Sequence, residues 1–130
     1  MACACGNFDE TDGLGELLLT DADGAVSTAT NARFGWGAPP EMGPSEALCM
    51  EFYNNYIKGF NQGEAYNLAK DFWRNVALTQ LTYRWSVYDW TFQGDPTMRM
   101  WRCVPREVAV DFPDTIPASP QTLRADVGYV

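Results

Sequence analysis

Apolar residues recur at helical spacing through the middle of this 130-residue chain, then switch to alternation beyond Pro105. A change of period from 3.6 to 2 excludes a purely helical or purely β architecture and predicts two unlike parts. From about Pro44-Ser45-Glu46, the residues Leu48, Cys49, Phe52 and Tyr56 form an apolar stripe, and Gly59 is placed to cap the helix end. Between about residues 63 and 81, Ala65, Leu68, Ala69, Phe72 and Val76 repeat in the same way, as core aliphatics and aromatics. Nearer the N-terminus, Asp12 can cap a short helix with Leu14, Leu17 and Leu18 on one face, and that face is expected to pack on a sheet.

Asp21-Ala22-Asp23-Gly24 reads as a turn, and residues 25–30, small and β-branched without clean alternation, read as a strand. A strand of that composition suits the buried middle of a parallel sheet. Residues 34–40, rich in Gly and Pro, form a loop at its end, and strand ends are where open α/β sheets bind ligands. Trp36, flanked by two glycines, is the residue of interest there, although tryptophan also serves as an ordinary packing aromatic.

Residues 83–92 are dense in aromatics, are expected to close one side of the domain, and run into the turn signal Gly94-Asp95-Pro96. Residues 98–101 alternate as a short edge strand would. Val108, Val110 and Phe112, then Leu123, Ala125, Val127 and Tyr129, alternate on either side of a Pro-rich turn at 113–120. These are read as the first two strands of a β-sandwich, cut short at Val130 because two strands cannot bury a sandwich core. Met1, leading directly into small apolar residues, is read as an internal residue of a longer protein.

Nine Lys and Arg against seventeen Asp and Glu give a formal charge of −8, which argues against nucleic acid or an anionic membrane as partner. There is neither a signal-peptide pattern nor an apolar run of membrane-spanning length. Cysteines occur at 3, 5, 49 and 103, without a Cys-x-x-Cys pair and without any histidine, which excludes the common zinc patterns. Cys3 and Cys5 alone would offer a soft metal only two ligands, so neither metal nor cofactor is expected. Cys49 and Cys103 are read as small apolar residues. Asp9, Glu10 and Asp12 are read as loop and capping residues.

Ala2-Cys3-Ala4-Cys5-Gly6-Asn7-Phe8-Asp9 reads like a loop presenting a nucleophilic thiol. Followed by the Leu-rich helix at 16–19, Gly24-Ala25-Val26, Asn31-Ala32-Arg33-Phe34-Gly35-Trp36 and Gly94-Asp95-Pro96, it resembles the gingipain-type cysteine peptidase family over about residues 1–101. The resemblance implies an α/β fold, part of a three-layer αβα caspase-like domain at 1–103, followed at 104–130 by the first strands of an all-β immunoglobulin-like sandwich. By the same resemblance the catalytic nucleophile falls on Cys3, with Cys5 its neighbour, and Trp36 lines the pocket for the substrate side chain preceding the scissile bond.

The family takes its base from a His-Gly element on an earlier strand, and an oxyanion donor from the adjacent glycine. A thiol needs a base to be a good nucleophile near neutral pH, so the histidine is expected outside these 130 residues. The expected substrate is a protein or peptide, and the expected location is extracellular or cell-surface. The competing reading is a catalytically degenerate caspase-like module of a secreted adhesion or secretion-associated protein, its cysteine merely packed beside Gly6.

Overall fold

The computed structural model describes residues 3–9, 13–101, 108–111 and 126–129. The chain divides into two compact units, Met1–Met100 and Trp101–Val130. The first holds α1 (Leu14–Thr20), β1 (Ser27–Asn31), α2 (Pro44–Lys58), α3 (Gln62–Thr79), α4 (Leu81–Asp89) and β2 (Trp90–Gly94). This mixture of helices with a small sheet is α/β in content.

The two long helices form where local chemistry favours them. Pro44 opens α2, where its missing N–H costs nothing, and Gly59 ends it at φ 104°, a conformation glycine adopts without strain. Helix α3 opens with a capping box. Asn61 accepts from the Glu64 N–H at 2.8 Å, and the Glu64 carboxylate accepts from the Asn61 N–H at 3.2 Å. The helix pattern expected to run to residue 81 breaks at Gln80, which is extended at φ −113° and ψ 118°, so a separate helix α4 follows.

The aromatic-dense stretch is therefore two elements, the helix α4 and the strand β2. Strand β2 pairs antiparallel with β1, from Ser27 opposite Gly94 to Asn31 opposite Trp90. The expected parallel neighbours of β1 are not among the described strands. Alternation cannot reveal strand direction, because both directions place successive side chains on opposite faces. Residues 98–101 carry no strand. Instead the carbonyls of Pro96 and Met98 accept from the N–H groups of Gly63 and Gln62 at 2.8 and 2.9 Å, satisfying donors at the start of α3.

Leu48, Phe52, Ala65, Ala69 and Trp90 make the buried core, with Ala29, Tyr56, Tyr66, Trp73 and Val87 packed around it. Trp90 meets Phe52 edge-to-face, with ring centroids 5.8 Å apart. The alanines on α3 allow close approach to α2, and Trp73 Nε1 donates to the Ala47 carbonyl at 3.3 Å. Leu68 and Phe72, expected in the α3 core stripe, are exposed.

Helix α1 also departs from expectation. Asp12 lies outside the described residues, and Gly13 stands at the N-cap with no side-chain cap bond. Leu14, Leu17 and Leu18 are 51, 48 and 40% exposed, and the residue α1 buries is Gly15. An added Cβ there would stand 2.6 Å from Gln93 Oε1, displacing that side chain, and 3.0 Å from the Cys5 carbonyl, a crowded contact that glycine avoids.

In the second unit, β3 (Val108–Asp111) and β4 (Asp126–Tyr129) pair antiparallel, with Val108 opposite Tyr129 and Asp111 opposite Asp126. Cys103, the turn at 113–120, Phe112, Leu123 and Ala125 lie outside the described residues. Among the described residues no helix is long and apolar enough to cross a membrane.

Candidate active site

Cys3 is an exposed free thiol in a turn over residues 3–6, and Cys5 beside it is a half-buried free thiol. Between them Ala4 has φ +56°, the left-handed region that non-glycine residues seldom occupy. Such a conformation costs about 1–2 kcal/mol and persists only where neighbours hold it. Here the Ala4 N–H donates to the Arg33 carbonyl at 2.6 Å, the Gly6 N–H to the Asn31 carbonyl at 3.0 Å, and the Gly15 N–H to the Cys5 carbonyl at 2.8 Å. Gly6 lies so close to β1 that a Cβ would come within 2.5 Å of Thr30 Oγ1. These bonds set the turn against the C-terminal end of β1.

The loop leaving that end of β1 carries Trp36. Its backbone is tied to the first turn of α2 in both directions. The Trp36 N–H donates to Ser45 Oγ at 2.9 Å, and the Ser45 N–H donates to the Trp36 carbonyl at 3.1 Å. On the other side Trp85 Nε1 donates to the Phe34 carbonyl at 2.9 Å. With its backbone anchored, the Trp36 side chain remains 47% exposed. Cys3 and Trp36 are thus carried by two segments that meet through the Ala4–Arg33 bond.

Arg33 joins these segments a second time. Its guanidinium donates to Asn7 Oδ1 at 2.6 Å and pairs with both carboxylate oxygens of Asp9, one at 2.9 Å. The guanidinium beside Asp9 holds that carboxyl below the usual range. From below, Asp89 at the end of α4 fixes the Arg33 backbone, its Oδ1 accepting from the Arg33 N–H at 2.6 Å, while its carbonyl accepts from the Ala32 N–H at 2.9 Å. Burial pushes the Asp89 carboxyl up, against the pull of the Arg33 N–H and guanidinium.

Sequence reasoning did not single out Asn7, Arg33 or Asp89 as a connected group, and it read Asp9 as an ordinary loop residue. Arg33 and Asp89 are 56 positions apart, and only the fold of α4 against the end of β1 joins them. Cys49 sits half-buried on α2, where burial pushes its thiol up, as suits a small packing residue. Among the described residues, no three His, Cys, Asp or Glu side chains converge to hold a metal ion.

Cys3 is thus a free, exposed thiol on a turn held at the end of β1. The model for peptidase family C25 matches residues 1–101, and the chain belongs to that family, the gingipain family of cysteine peptidases. Membership implies protein substrates. No curated protein and no solved structure matches the chain.

Proposed function

We propose that Cys3 is the nucleophile of a cysteine endopeptidase whose base is an imidazole outside these 130 residues, and that Trp36 walls the pocket for the side chain preceding the scissile bond. The observation that carries this reading is the Cys3 turn, an exposed thiol beside Ala4 at φ +56°, pinned to the end of β1 in a chain of a cysteine peptidase family. The absence of histidine from the chain supports an external base.

In this mechanism the imidazole removes the thiol proton and the Cys3 sulfur adds to the peptide carbonyl carbon. The oxyanion is met by the Cys3 backbone N–H and by a glycine N–H beside the histidine. The C–N bond then breaks, the leaving amine takes the proton from imidazolium, and water hydrolyses the thioester. Arg33, Asn7, Asp9 and Asp89 act in this reading by positioning the turn.

Family likeness also supports a caspase-like three-layer arrangement for the first unit and an immunoglobulin-like sandwich for the second, with the protein outside the cell or on its surface. Fractionation of the source cells tests the location. For the chemistry, the 130-residue chain alone is expected to cleave peptides at background rate. In a polypeptide uniting it with the imidazole, an acyloxymethyl ketone peptide should label Cys3, and Cys3→Ala should abolish labelling and turnover. Turnover that survives Cys3→Ala, or turnover by the 130 residues alone, overturns the assignment.

A further inference from the structure

A groove of about 750 Å³ runs beside strand β2, with Phe8 and Asp9 of the loop after Cys3 lining part of it. That volume is within the range of small-molecule and peptide pockets. Its aromatic walls are Tyr66, Trp85, Tyr88 and Phe92, and the Tyr88 side chain is 81% exposed. At the first residue of β2 strand addition is hindered, because the Trp90 carbonyl already accepts from the Tyr66 hydroxyl and from Lys70 Nζ at 2.8 Å. At that end of the groove recognition falls to side chains.

Four charged groups line it, and three are engaged with one another. Asp9 is paired with the Arg33 guanidinium, while Asp89 accepts from the Arg33 N–H through Oδ1 and its Oδ2 is buried with no hydrogen-bond partner among the described residues. Lys70, half-buried with Nζ 4.4 Å from the Tyr66 ring centre, has no carboxylate within ion-pairing distance among the described residues. A partly desolvated ammonium without a counter-ion is costly, and the strain shows as a pKa pushed down to about 8 by burial. An ammonium offers three donors, and one is used on the Trp90 carbonyl.

We propose that this groove binds the C-terminus of a peptide ending in an aromatic residue, with the α-carboxylate on Lys70 and the terminal ring among Trp85, Tyr88 and Phe92. A terminal aromatic residue carries a carboxylate and a large ring on the same carbon, matching a cation set beside aromatic walls. An Asp or Glu side chain offers the charge without the ring, and the chain's −8 charge disfavours a polyanion. The proposal does not depend on the chemistry of Cys3.

The test titrates the 130-residue chain with acetyl-Ala-Ala-Phe carrying either a free carboxylate or a terminal amide, followed by calorimetry and by Trp fluorescence. The free acid is expected to bind about tenfold more tightly than the amide, from one charge-assisted hydrogen bond at Lys70. Lys70→Met should bring the acid down to the amide's affinity, Lys70→Arg should keep most of the difference, and Tyr88→Ala should weaken both ligands alike. Equal affinity of acid and amide for the unaltered chain overturns the proposal whatever the variants do, as does absence of binding by both. A Cys3→Ala chain should bind like the parent, so loss of peptidase activity and loss of groove binding are separate results.

Discussion

Replacing Arg33 by alanine removes the guanidinium from Asn7 and Asp9 but leaves the Arg33 carbonyl that accepts from Ala4. The ion pair joins side chains 47 and 57% exposed, so solvent screens it and its loss costs about 0.5 kcal/mol. The bond to Asn7 matters more. Asn7 is buried, and without the guanidinium its Oδ1 keeps, among the described residues, the 3.4 Å contact from the Asp9 N–H alone, a loss of about 1–2 kcal/mol. Together these make local opening of residues 4–9 about tenfold to sixtyfold more frequent. Hydrogen exchange reads this directly: the Ala4 and Gly6 amides should exchange faster by that factor, while Ala65 and Ala69 in the α3 core keep their protection. Unchanged protection at Ala4 and Gly6 would refute the idea that the guanidinium holds the turn. Equal acceleration at Ala65 would show instead that Arg33 supports the whole fold.

Two further perturbations test the packing and the electrostatics. Leu48→Ala, at a fully buried site in the core cluster, should cost about 3 kcal/mol and lower Tm by about 10 °C, read by thermal unfolding. Lys70 gives a pH signature: its folded pKa of about 8 lies below the ordinary lysine value of 10.5, so the unfolded chain holds the extra proton between them. Lys70 should therefore contribute a rise in stability of about 1 kcal/mol as pH goes from 8 towards 10, after allowing for the lysine's solvent contact, and Lys70→Met should remove that contribution in urea titrations. Tyr66, pushed up to about 12 by burial, and Cys49, also pushed up, act the other way near the top of this window, where the unfolded chain's tyrosine and thiol begin to ionise, so the lysine's share is read as the difference between the parent and Lys70→Met.

Local chemistry determined what is local. The stripe of α2 with its Gly59 cap, the existence of α3, the turn signals and the motif around Cys3 were legible because helix period, capping and φ-permissive residues act within a few positions. The family followed from the same short motifs. Tertiary structure decided the antiparallel pairing of β1 with β2, the division of the aromatic stretch at Asp89–Trp90, and the docking of α1 through Gly15 rather than its leucines. It also decided the Asp89–Arg33–Asn7 linkage that holds the Cys3 turn. Such contacts depend on which distant surfaces meet, and neither side-chain period nor capping carries that information. A leucine face looks buried in any amphipathic pattern, and only the assembled neighbours determine whether something covers it.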